Sequence, residues 1–251
     1  MRILVTIATD REFTPWRILR SFRVVPTAGY SIYESNITDV EVVVILTGMG
    51  PGNARRAINL TSLGAADLCV ATGLAGGLKP DCLPGDVLVA RAVRSHEDDH
   101  FVLSDERLFQ AAVECGAKAV GKFVSVENIA TTGEEKARLG AIADAVDMES
   151  FAIMSEMVRR GVPTVALRSV ADPVEFDMPY DFEEAVGEHG RVRTARVLAQ
   201  VVRAPWALPA LIRLAFASRK AAGNLGRFLE RYVESLAVQK DRLAVAPQPL
   251  G

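Results

Sequence analysis

Cysteine is scarce in this 251-residue sequence, and the three present, Cys69, Cys82 and Cys115, are odd in number and show no Cys-x-x-Cys spacing. That excludes a disulfide framework and a cysteine zinc site, and leaves reduced, mostly buried thiols. Long apolar runs are missing too. The stretch ILVTIA is too short for a signal peptide and is followed at once by Asp10, Arg11 and Glu12. APWALPALIRLAFA is interrupted by Arg213 and falls short of the roughly 20 apolar residues that a spanning helix requires. No internal repeat or low-complexity segment is visible, and no Lys-Ser/Thr pair follows a glycine loop as it does in the nucleotide-binding P-loop. Nor is there an excess of positive charge over most of the chain: 18 Lys/Arg stand against 28 Asp/Glu before residue 189. A net-acidic body argues against nucleic acid as a partner. The expectation is a cytoplasmic protein.

What is present is enough for one sizeable core, since 49% of the residues are apolar. RILVTIA and EVVVILT are near-continuous apolar runs of strand length, as expected for strands covered on both faces. DLCVATGLAGG, GDVLVARAV, GKFVSVENIAT and PTVALRSVAD follow, each rich in β-branched residues and ending in polar or glycine-rich sequence. Between the strands, DREFTPWRILRSF, GMGPGNARRAINLTSLG, ERLFQAAVEC, EKARLGAIA and MESFAIMSEMVRRG carry helical spacing. The alternation predicts an α/β fold: a three-layer αβα sandwich around a mixed, largely parallel central sheet, with its ligand beyond the carboxyl ends of the strands. Residues 1–203 would form this domain, 204–240 a basic amphipathic helical extension, and 241–251 a flexible tail. The extension is where the positive charge lies, with 11 Lys/Arg against three acids from residue 189 on. Trp206, Leu208, Leu211, Ile212, Ala215 and Phe216 fit one helical face and Arg213, Arg219, Lys220, Arg227 and Arg231 fall elsewhere. Such a helix can lie peripherally on the inner face of a membrane, or pack on the body or a second subunit.

The polar residues of interest stand mostly where an apolar strand has just ended. In GMGPGNA, glycines after a strand let backbone N–H groups approach an anion or a sugar, and a helix start adds its positive end, although a tight turn is an equal reading. ATGLAGGL is a second such loop. Glu12 suits either a solvated first-turn acid complementing the helix dipole or a functional carboxylate. Arg168 and Asp172, in one strand, suit a structural ion pair as well as a site. Asp147 and Glu149 flank Met148 at the mouth of an apolar run, where a carboxylate costs several kcal/mol unless something hydrogen-bonds it. A sugar's vicinal hydroxyls would do so. His96 and His100 in RSHEDDH read as surface residues, or as a segment reaching a neighbouring subunit; no metal and no cofactor is expected.

At these residues the sequence resembles the nucleoside phosphorylase and nucleosidase superfamily, in particular its methylthioadenosine/S-adenosylhomocysteine nucleosidase branch. Five motifs in order carry the likeness from Met1 to about Asp172: the acidic turn ending at Glu12, TGMGPGNA, TGLAGGLKPDCLPGDVLVA, VDMES in place of V-E-M-E-[AS], and RSVAD in place of R-x-[IV]-S-D. Beyond Asp172, DPVEFDMP, EAVGEHGRVR and the basic helices are similar to the hopanoid-associated phosphorylases, which remove adenine from adenosylhopane.

The resemblance implies an enzyme that cleaves the N-ribosidic bond of an adenine nucleoside by hydrolysis or phosphorolysis. Asp172 would protonate the departing purine near N7, Glu12 would activate water on the opposite face of the sugar, and Arg168 would orient Glu12 or the nucleophile. Glu149 would bind the ribose hydroxyls with Met148 packed on the sugar, Asp147 would support, and Ile129 and Ala130 would meet the base. Gly48, Gly50, Thr72, Gly73 and Leu74 would surround the nucleophile. Three departures stand out: Leu74 replaces a serine, Ile129 an aromatic, and Ala171 the serine before the aspartate. The Arg that binds phosphate in the uridine phosphorylase branch is absent, Cys69, Val70 and Ala71 standing there instead, which favours water over phosphate. The implied substrate is adenosylhopane, a lipid-linked adenine nucleoside, with methylthioadenosine or S-adenosylhomocysteine as the alternative and a non-catalytic nucleoside-binding protein as the second. A homo-oligomer, a dimer, is expected.

Overall fold

The computed structural model describes residues 1–27, 29–60, 66–97, 100–128, 132–174, 176 and 208–243. Among the described residues ten strands form one sheet: β1 (Arg2–Ile7), β2 (Arg23–Val25), β3 (Ser31–Ile37), β4 (Val40–Leu46), β5 (Leu68–Gly77), β6 (Val87–Ser95), β7 (Phe101–Leu103), β8 (Lys118–Ser125), β9 (Ala145–Asp147) and β10 (Thr164–Asp172). The helices are α1 (Asp10–Leu19), α2 (Pro51–Leu60), α3 (Glu106–Glu114), α4 (Gly133–Gly140), α5 (Ser150–Arg159), α6 (Leu208–Val238) and α7 (Lys240–Leu243).

The period-2 rule of a strand sorts each central strand between two cores. Ile3, Val5 and Ile7 of β1 join one apolar cluster with Phe13 and Trp16 of α1, Leu108 of α3 and Leu225 of α6. Leu4 faces the other way, into a cluster with Ala54 and Ile58 of α2 and Ile153 and Met157 of α5. These are the outer layers of the expected αβα sandwich. Parallel pairing holds at the centre, β4 to β1 to β5 to β10, and again from β6 through β8 to β9. The antiparallel pairs are β2–β3, β3–β4, β6–β7, β6–β10 and β5–β9.

Because β10 pairs with both β5 and β6, and β5 also with β9, the sheet curls on itself through β5, β10, β6, β8 and β9. On one edge β5 gives Leu68–Ala71 to β1, then Gly76 and Gly77 to β9. Residues 72–75 lie between these two ladders, so the sheet splits there and a cavity opens. ATGLAGGL is therefore strand through Gly77, and not a second glycine loop. Its other edge stays paired with β10 throughout, Arg168 opposite Gly73 and Asp172 opposite Gly76, and that ladder keeps the backbone extended. The glycines serve close packing: a Cβ on Gly77 would lie 2.9 Å from the Cys82 carbonyl.

The C-terminal helix is only partly an extension. From Ala221 on, α6 buries Leu225, Phe228, Leu229, Tyr232, Val233 and Leu236 against the body. Tyr232 donates to the Leu108 carbonyl at 2.8 Å, and Glu230 accepts from Trp16 Nε1 at 2.8 Å and Arg20 Nη2 at 2.7 Å. Gly226 lets the two backbones close, since a Cβ there would sit 2.8 Å from the Trp16 amide nitrogen. These side chains are core, and the apolar face foreseen for membrane contact is confined to the first turns, where Leu208, Ile212 and Phe216 are exposed. Trp206, the 203/204 boundary and residues 244–251 lie outside the described residues. No helix among them is long and apolar enough to cross a membrane.

Candidate active site

The split in the sheet opens a cavity of about 190 Å³ whose lining includes Glu12, Leu74, Met148, Glu149, Lys136 and Asp172. The two acids expected on opposite sides of a glycosyl bond thus share one chamber, drawn from the ends of β1 and β10. β1 delivers Glu12 through the first turn of α1, where Thr9 caps the helix and its hydroxyl accepts from the Glu12 N–H. The helix dipole favours an acid at that position. The carboxyl nonetheless points inward: Oε2 is buried and has no hydrogen-bond partner.

Every residue of β10 is buried, so Arg168, 1% exposed, must find its partners inside. Its Nε donates to Asp147 Oδ2 at 2.5 Å, and its Nη2 lies 3.7 Å from Glu149 Oε2 with no hydrogen-bond partner of its own. Asp147 is itself fixed by the Ser125 hydroxyl at 2.5 Å and the Ser150 N–H at 3.3 Å. Arg168 and Asp172 do not form the ion pair that one reading of the sequence allowed. Four residues of strand separate their Cα atoms by roughly 13 Å, and each takes a different partner. Gly73, at φ +155°, is what admits the guanidinium: a Cβ there would lie 2.5 Å from Arg168 Nη1 and 3.0 Å from Glu12 Oε2.

Glu149 precedes α5 and turns back across the chamber, accepting from the Gly50 N–H at 2.7 Å. That N–H is presented by a turn in which Gly48 and Gly50 both have positive φ, 80° and 90°, a conformation that favours glycine. Met148 lies beside this turn, its Cε 3.9 Å from where a Gly50 Cβ would be. Burial pushes Glu149 from an ordinary 4.5 up to about 7, Arg168 opposing and the Asp147 charge adding to it. Glu12 is likewise pushed to about 7, by burial first and then by the charge of Glu149, with Arg168 pulling the other way. Two carboxyls poised near neutral pH can hold and release protons during turnover.

Asp172 forms the far wall. Burial raises its carboxyl, and Lys136 of α4, in contact with Oδ2, pulls it back. Ala171, before Asp172 in the strand, offers no hydroxyl, and Lys136 is the side chain that meets the Asp172 carboxyl. The sequence reading passed over this lysine, although it stands on the buried stripe of α4 with Leu139 and Gly140, where a lysine requires an explanation. Thr72 is buried in β5 with its hydroxyl unpartnered, and Leu74 lines the cavity. Ile129 and Ala130 lie outside the described residues. Among those described, no three His, Cys, Asp or Glu are gathered as a metal site.

The chain belongs to the Phosphorylase superfamily, whose model matches residues 2–203, and so to enzymes that cleave N-glycosyl bonds. It is similar to 5'-methylthioadenosine/S-adenosylhomocysteine nucleosidases from Shewanella halifaxensis, at 26% identity over 69% of this chain and 88% of that protein, and from an Exiguobacterium species, at 28% over 70% and 86%. Among solved structures it resembles a mutant nucleosidase of Helicobacter pylori with 5'-methylthioadenosine in its active site, at TM-score 0.74 and 20% identity over 94% of this chain and 99% of that one. A futalosine hydrolase mutant of the same organism gives TM-score 0.74 and 20% identity, over 94% and 100%.

The raised carboxyls have a cost in stability. Between pH 4.5 and 7 the folded chain binds more protons at Glu12 and Glu149 than the unfolded chain does, so their burial destabilises the fold increasingly as pH rises through that window. Glu12→Gln and Glu149→Gln should each be more stable than wild type at pH 8, by about 1–3 kcal/mol, and equal to it near pH 4. Urea melts at the two pH values measure this.

Proposed function

We propose that the chain hydrolyses the N-ribosidic bond of an adenine nucleoside. The observation that carries this is that Glu12 and Asp172 line one cavity together with Glu149 and Met148. Cleavage builds positive charge on the sugar and negative charge on the base, so each end needs its own group. Asp172 gives a proton to the purine, and a neutral base departs. Glu12, in its ionised form, takes a proton from water approaching the other face of the sugar, while Glu149 holds the ribose hydroxyls and Arg168 keeps both glutamates in place. The raised value of each carboxyl suits acid–base work.

Water is favoured over phosphate on electrostatic grounds. The cations described at the chamber, Arg168 and Lys136, are both already engaged by carboxylates, of Asp147 and Asp172. An incoming phosphate dianion would therefore meet buried carboxyls and no uncommitted cation among the described residues. The similarity to methylthioadenosine/S-adenosylhomocysteine nucleosidases supports a small thio-substituted adenosine as substrate more directly than it supports adenosylhopane.

The lipid-linked reading stands second, on one observation: Leu208, Ile212 and Phe216, four residues apart on α6, are 41%, 46% and 69% exposed. An apolar ridge on a basic helix is suited to a bilayer interface, from which a lipid-linked nucleoside would be drawn. Truncation at residue 203 would remove core side chains of α6, so the ridge is better tested by charge. Ile212→Asp/Phe216→Asp should abolish pelleting with anionic liposomes and leave the melting temperature unchanged; equal pelleting removes this reading.

Adenine release from methylthioadenosine and from adenosylhopane, side by side in phosphate-free buffer, tests the main proposal. Release without phosphate is expected, with Glu12→Gln and Asp172→Asn each slower by about 10²–10⁴-fold. Strict dependence on phosphate would reverse the choice of nucleophile.

A further inference from the structure

Lys136 is a buried charged group that the proposed reaction does not use. Its side chain is 1% exposed, and its ammonium is satisfied by protein alone: it contacts Asp172 Oδ2 and donates to the Pro173 carbonyl at 3.0 Å and the Phe176 carbonyl at 3.1 Å. The other carboxylates of the chamber lie at the Arg168 end, and Lys136 is the charged neighbour that acts on Asp172. On its own helix Glu134 and Glu135 occupy the first turn, outside the cavity lining. Among the described residues the remaining wall beside Asp172 is apolar: Gly76 of β5, where a Cβ would lie 3.4 Å from Oδ2, and Val146 of β9.

A carboxyl that donates a proton becomes an anion where it stands. In a buried site that anion costs several kcal/mol unless a charge already waits for it. We propose that Lys136 is a positioning residue for base protonation, its ammonium supplying the countercharge for the carboxylate that Asp172 becomes. As the C1'–N bond breaks, its electron pair passes to the base, the Asp172 O–H proton moves to a ring nitrogen of that base, and the new carboxylate remains on Lys136. Because this stabilisation is greatest once the proton has left, it lowers the barrier and not the energy of binding. The inference rests on the nucleosidase reading above. A merely structural lysine would only tie residues 173 and 176 to α4, and its loss would appear in stability and KM.

Lys136→Met and Lys136→Arg are compared with wild type, and Lys136→Met also in the Asp172→Asn background, by steady-state release of adenine from methylthioadenosine. Lys136→Met is expected to lower kcat about thirtyfold or more with KM changed less than about threefold, and Lys136→Arg to recover most of the loss. With Asp172→Asn already present, removing the lysine should cost less than about threefold further, because the group it serves is gone. Should Lys136→Met fail to fold, the double variant buries no lone carboxylate, and its comparison with Asp172→Asn gives the answer. A kcat within threefold of wild type, or a full second loss in the Asp172→Asn background, would overturn the inference. Absence of adenine release by the wild-type chain from methylthioadenosine and from adenosylhopane alike would instead end the nucleosidase reading.

Discussion

One buried guanidinium organises this protein's chemistry. Arg168 stands in a strand covered on both faces and meets Asp147 directly, with Glu149 beyond it and Glu12 facing the same glycine gap. Each carboxylate alone would be expelled or protonated in such a place; together with the cation they are retained, and the geometry of the pocket follows. Removing the arginine would leave like charges facing one another, a loss of about 3–5 kcal/mol by the ordinary cost of breaking a buried pair. The split in the sheet between residues 72 and 75 makes room for the cluster, and the missing Cβ of Gly73 allows the approach.

The opposite wall repeats the arrangement with different residues. Asp172 is sheltered by burial and countered by Lys136, so the chamber has a carboxyl with a cationic partner at each end. The two ends differ in one respect that suits the roles proposed for them. At the Arg168 end, carboxylates outnumber the cation and Glu12 and Glu149 are held near neutrality. At the Lys136 end, the pairing is one to one.

Much of this was legible in the sequence. Apolar runs of strand length ending in polar residues located β1, β4, β5, β6, β8 and β10; Glu12, Arg168 and Asp172 lie at or near such ends and Glu149 at the mouth of the apolar run of α5, and the resemblance singled out all four as site residues. Short strands escaped notice: β2, β7 and β9 have three residues each, too few for a period to show, and β3, SIYESNI, is diluted by polar residues at its exposed positions. The reading of 71–78 as a loop failed because glycines mark both turns and close strand packing, and only the β10 ladder decides between them. The partner of Arg168 could not be read at all, since Asp147 reaches it from a different strand. Lys136 left one local trace, a charge on an apolar helical stripe. The tail left two readings open, a membrane-facing helix or one packed on the body or a second subunit, and from Ala221 onward its apolar positions are buried in the cluster that holds Phe13 and Trp16 of α1.

The central claim is geometric, that a nucleoside lies across this chamber with its base toward Asp172 and its anomeric carbon toward Glu12. A crystal structure with a non-cleavable adenine nucleoside analogue tests it most directly. The account predicts a purine ring nitrogen within hydrogen-bond distance of Asp172, ribose hydroxyls on Glu149, and the face of C1' away from the base turned to Glu12. A ligand bound in the reverse orientation, or outside this cavity, would contradict it.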